Sequence, residues 1–232
     1  MTIRPASVGA LLIPLMAFSL AERGLVAAAQ GAAPLVASRH DAPPPAALAK
    51  PIAAKLAPGG VRVALSKSSA QLDFWWVAAL PLRAGAAELS WGGVEEGTLV
   101  GAVNIPAVYR DMRGRVIKPG VYTLRYGLQP ANGDHLGVSP YREFLLLSPA
   151  EIDPDPAPRG HDGTIEISRL TVGGSHPAVL SMDPPVAKAA ALQLQKTELD
   201  HDAVIMEVPV TRNGKSAGTL RFGLVLIGRI EA

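Results

Sequence analysis

Val121-Tyr122-Thr123-Leu124-Arg125-Tyr126-Gly127-Leu128 is the stretch on which the fold turns. Successive side chains of a strand point to opposite faces, so Tyr122, Leu124 and Tyr126 share one face while Thr123 and Arg125 share the other. The alternation predicts a strand with one buried and one wet face, as antiparallel sheets require. Lys118-Pro119-Gly120 just before it suits a type II turn, and Arg212-Asn213-Gly214-Lys215 farther on suits a hairpin with positive φ at its centre. Similar short runs, separated by glycine, proline and polar punctuation, predict strands over 61–66, 72–82, 87–91, 98–105, 121–128, 142–147, 163–171, 178–182, 203–211 and 218–227. Only 186–195, rich in alanine and glutamine, reads as helix.

That pattern predicts an all-β fold with at most one short helix, an antiparallel β-sandwich of immunoglobulin-like or jelly-roll type. An outer-membrane barrel fits poorly, because 75–80 and 220–227 are apolar on both faces and so read as buried in protein. Asp153-Pro154-Asp155-Pro156-Ala157-Pro158 forbids helix and central strand, and a subdivision near 153–160 is the alternative to one sandwich crossed by a long connection.

The N-terminus has a different character. One cation, Arg4, precedes an apolar run over 8–20 that is too short to span a bilayer, and small residues at signal-peptidase spacing place cleavage after Ala21 or Ala29. Residues 1–29 therefore read as an export signal. Residues 30–60, with Pro43-Pro44-Pro45 and few large side chains, read as a disordered alanine- and proline-rich linker, which leaves 61–232 as the folded domain. The expected location is periplasmic or extracellular, with no transmembrane segment in the mature chain.

Composition narrows the functional classes. Of 232 residues 48% are hydrophobic and 18% charged, enough apolar surface for a core. The 22 Lys and Arg nearly balance 20 Asp and Glu, so no general field steers the chain onto nucleic acid. The absence of cysteine excludes disulfides, thiolate zinc sites and thiol nucleophiles.

Trp75 and Trp76 are adjacent in a predicted strand and must face opposite ways, so one indole is expected to lie under a loop or form a ligand platform, with Trp91 nearby. Tyr109-Arg110-Asp111-Met112-Arg113-Gly114-Arg115, with Lys118 beyond, forms a cation-rich loop whose Arg110, Arg113 and Arg115 could grip a carboxylate or phosphate, or simply pair with surface acids. Four of the five histidines adjoin aspartate, and Asp134, His135, His161, Asp162, His201 and Asp202 form an alternative metal-binding set, although no two histidines stand at ligand spacing. No nucleophile elbow, phosphate loop or calcium loop is complete; Gly173-Gly174-Ser175-His176 lacks its closing glycine. No cofactor is expected. The function these features predict is an exported, non-catalytic binding or accessory protein recognising a saccharide, a peptide or a cell-envelope component. A metal-dependent hydrolase or metal-handling protein built on the Asp-His pairs, and a structural subunit of an envelope assembly, are the alternatives.

Overall fold

A computed structural model describes Met1 and residues 35–65, 71–130 and 140–228. Among these residues the chain order is β1 (Leu35–His40), α1 (Lys50–Ala53), β2 (Gly60–Leu65), β3 (Gln71–Trp76), β4 (Leu80–Pro81), a 3₁₀ turn (Trp91–Gly93), β5 (Leu99–Ile105), β6 (Tyr109–Arg110) and β7 (Val116–Ile117). It continues through β8 (Gly120–Leu128), β9 (Glu143–Pro149), α2 (Gly160–Val172), β10 (Val179–Asp183), β11 (Leu194–Lys196), β12 (Asp202–Arg212) and β13 (Lys215–Ile227). The mostly-β class matches the alternation in the sequence. From Leu35 onward the described residues group as one compact unit.

One hydrogen-bonded path runs β1-β2-β3-β5-β8-β9-β10-β13-β12-β11, with β4 parallel to β12 and the β6–β7 hairpin standing apart. Strand β10 belongs to both halves. Its first residues, Val179 to Ser181, pair with β9, and its last, Met182 and Asp183, pair with Leu224 and Gly223 of β13. The sheet curls until β1 meets β11 and β12. Inside the curl lie Phe74 and Trp76 of β3, Leu124 and Tyr126 of β8, Leu145 and Leu147 of β9, and Phe222 and Leu224 of β13, all buried in one cluster. Burying an aliphatic or phenylalanine side chain of this kind stabilises by roughly 1.5–3 kcal/mol.

The β12–β13 hairpin turns on Asn213 (φ 50°) and Gly214 (φ 74°), the positive values its sequence predicts. Gly120 departs from expectation. It is not among the residues with positive φ and instead opens β8, while the Tyr122 hydroxyl donates to the Lys118 carbonyl at 2.8 Å across the connection.

Further expectations are corrected. The stretch 163–171 lies in α2, not in a strand. Its β-branched residues mislead, but the buried positions Thr164, Ser168 and Thr171 follow the i, i+4, i+7 spacing of a helix face. Their hydroxyls are satisfied by carbonyls: Thr164 to Gly160 at 2.6 Å, Ser168 to Ala178 at 3.0 Å and Thr171 to Leu147 at 2.8 Å. Gly173, left-handed at φ 66°, ends the helix.

The helix expected at 186–195 is absent, because Lys188 (φ 63°) and Leu192 (φ 65°) adopt left-handed backbone that no α-helix admits. There the Gln195 side chain accepts from the Val186 N–H and donates to the Pro184 carbonyl, which holds the loop closed. The expected strand 87–91 is a loop running into the 3₁₀ turn, and 72–82 breaks into β3 and β4.

The described part of the stretch read as a linker, from Leu35 on, carries β1 and α1, so two helices are present rather than one at most. Leu48, Ile52 and Leu56 are buried in the core, and Pro51 sits in the first turn of α1, where its missing N–H is harmless. The export signal over 1–29 lies outside the described residues, apart from Met1. Among the described residues no helix is long and apolar enough to cross a membrane.

Candidate functional site

Trp75 and Trp76 do face opposite ways, yet neither is exposed. Trp76 points into the curl, stacked on Phe74 at 5.5 Å between ring centroids and edge-on to Phe222. Trp75 points outward, where the chain after β1 covers it: its Nε1–H donates to the Ala42 carbonyl at 2.9 Å and His40 meets its ring edge-on at 5.0 Å. Trp91, half-buried, packs on Phe222 and Tyr126. Phe222 thus brings Trp76 and Trp91 together as packing, and Trp75 stands apart.

The cation-rich loop is the β6–β7 hairpin, organised around Asp111. One carboxylate oxygen accepts the N–H groups of Arg113 and Arg115, both at 3.0 Å, and the other accepts Nε and Nη2 of Arg115 at 2.8 and 2.6 Å. Arg110 donates to the Gly114 carbonyl within the same turn. Tyr109 is buried, donates to the Leu226 carbonyl at 2.8 Å, and has its hydroxyl pushed well above the ordinary phenol range by burial and by Asp111. Arg115 and Tyr109 are thus both held by partners within the fold. Arg113 differs: burial and the neighbouring Arg115 lower its pKa against the pull of Asp111, and its side chain lines a pocket.

The outer face of the sheet explains that pocket. Cross-strand neighbours share a face, so Gly127 of β8 stands beside Phe144 of β9, and Leu146 of β9 beside Val179 of β10. Leu146 reaches across the bare backbone of Gly127, where an added Cβ would collide with its Cδ1. Over this floor lies α2, whose His161, Ile165 and Arg169, at i, i+4 and i+8, line the same space. The cavity measures about 250 Å³ and its walls are mostly apolar. His161 Nδ1 meets Glu96 Oε2 at 2.6 Å, and the same oxygen accepts the Leu128 N–H at 3.3 Å, which ties the first turn of α2 to the end of β8.

Among the described residues the members of the proposed metal set do not come together. Asp134 and His135 lie outside the described residues. His161 is taken up by Glu96, Asp162 is exposed on α2, His201 is buried elsewhere, and Asp202 accepts Lys196 at 3.0 Å. Among the described residues no group of three or more His, Asp or Glu could hold a metal ion.

Two features escaped the sequence reading. Arg169 and Ile165 become legible only once 160–172 is known to be helical. Arg125, assigned to a wet face, is fully buried with Asp153. No protein-family model, curated protein or solved structure matches this chain.

Proposed function

We propose that the chain is an exported, non-catalytic binding or accessory protein, a β-sandwich whose two sheets share β10, and that its ligand lodges between α2 and the outer face of β8–β10. The observation that carries this reading is the pocket itself: a concave apolar floor held by three paired strands, roofed by a helix, with a few polar groups at its rim, is the common form of a small-ligand site. The floor favours an apolar cell-envelope component over a saccharide, because Trp75 and Trp76, which would stack on a sugar ring, are buried, and Trp91 packs on Phe222 and Tyr126. Export agrees with the fold, since cleavage after Ala21 or Ala29 precedes Leu35 and removes no residue of β1.

The test uses N-phenyl-1-naphthylamine, an uncharged apolar fluorophore, against wild type and Ile165→Trp, which fills the cavity. Saturable binding in wild type and a loss of at least tenfold in the variant at unchanged melting temperature support the site. Equal binding by both proteins overturns it. Cell fractionation with N-terminal sequencing tests export: a cytoplasmic protein that retains Met1 overturns that part.

A further inference from the structure

Arg113 and Arg169 reach one cavity from different elements, the β6–β7 hairpin and the last turn of α2. Among the described residues neither guanidinium joins an ion pair or a side-chain hydrogen bond, whereas Arg62, Arg115, Arg125, Arg159 and Arg221 each hold a carboxylate. Glu96, the acid bound to the pocket residue His161, also accepts the Leu128 N–H. Asp111 is saturated by Arg115 and by two backbone N–H groups. Two unspent guanidiniums therefore overlook an apolar space with Phe144, Leu146 and Val179 on its floor and Ile165 of α2 above them.

We propose that this pocket binds a medium-chain anionic amphiphile: an aliphatic tail on the floor and an oxyanion head, carboxylate or phosphate, between Arg113 and Arg169. The inference rests on the reading of the pocket as the ligand site and adds the chemistry of the ligand. Arginine forks match the paired oxygens of such heads; Arg113 is half-buried and Arg169 is exposed at the pocket's rim. The volume sets the tail. Taking for each methylene the ~30 Å³ share of a water molecule, 250 Å³ accommodates a chain on the order of eight carbons.

The experiment titrates the full chain with octanoate, octan-1-ol and acetate by isothermal calorimetry, in wild type, Ile165→Trp and the double variant Arg113→Gln/Arg169→Gln. Saturable octanoate binding at least tenfold tighter than octanol, no binding of acetate, and closure of the octanoate–octanol gap in the double variant at unchanged melting temperature support the proposal. Equal affinity for octanoate and octanol in wild type, abolished by Ile165→Trp, overturns the anionic head and leaves the pocket as the ligand site. Binding that survives Ile165→Trp overturns the pocket itself. No binding of either eight-carbon compound overturns the proposed ligand class, and retained binding of the fluorescent probe then shows that the pocket is not at fault.

Discussion

Arg125 and Asp153 meet side-on, Nε to Oδ2 at 2.7 Å and Nη2 to Oδ1 at 2.9 Å, with neither side chain exposed. The remaining guanidinium donors reach the carbonyls of Gly97, Ala157 and Asp155, so all five N–H groups are engaged. Asp153 also accepts from Thr123 and from Arg159. The proline-rich stretch 153–158 is thereby bound to the outer face of β8. It leads directly into α2, so the same latch sets where the roof of the pocket begins.

A buried charge without its partner is far more costly than the pair. Asp153→Ala, which strands Arg125, should destabilise the protein by on the order of 3–5 kcal/mol. The double variant Arg125→Met/Asp153→Leu, which removes both charges, should lose less than that single variant. Urea unfolding midpoints at pH 7 decide the matter; a midpoint for Asp153→Ala equal to wild type would rule out the latch.

The same carboxylate gives the protein an acid limit. Burial pushes the Asp153 carboxyl up, but hydrogen bonds from Arg125 and Thr123, the Arg125 charge and the Arg159 hydrogen bond together hold it below the ordinary 3.8. A pKa depressed in the folded state contributes stability that is present above the unfolded value and lost as pH falls through the folded one. Wild type should therefore lose stability below about pH 4. Asp153→Asn, less stable at neutral pH, should show a shallower decline across that range in melting temperature against pH.

Much of the strand framework was legible because period-2 alternation and the Asn213-Gly214 turn are local signals. Trp75 and Trp76 face opposite ways for the same reason. What covers Trp75, the carbonyl of Ala42, comes from a segment whose alanines and prolines resemble a linker, and its few large side chains carry the packing. Arg125 was misassigned because an arginine in an alternating strand ordinarily marks the wet face, and only tertiary structure supplies Asp153 to bury it. The pocket was illegible for a related reason. Its floor joins residues from three strands, its arginines lie more than fifty positions apart in sequence, and the helix that presents Arg169 buries hydroxyls where a helix face ordinarily buries aliphatics.

If 35–57 is part of the fold, truncating its core residues must be costly. Ile52 is fully buried against the main cluster. Ile52→Ala should destabilise by about 2–4 kcal/mol, the range for emptying a packed aliphatic site. A residue in a mobile linker would lose almost nothing, so an unfolding midpoint within error of wild type would return this segment to linker status.

Asp183, at the end of β10 where the two halves of the sheet join, opposes folding as pH rises. Burial pushes its carboxyl up to about 6, with His201 pulling it down and Glu198 adding to the rise. Between the ordinary 3.8 and about 6 the folded protein holds a proton that the unfolded chain has released. Stability must then fall as pH increases through this window, the reverse of the Asp153 effect. Asp183→Asn removes the titration while keeping the shape of the side chain. The variant should show a flatter melting temperature between pH 4 and 6 and should exceed wild type at pH 7 by on the order of 1–2 kcal/mol, after allowance for solvent screening. An unchanged slope across that interval would assign the pH dependence to other groups and leave Asp183 ionised at the seam, where its buried charge would need a partner.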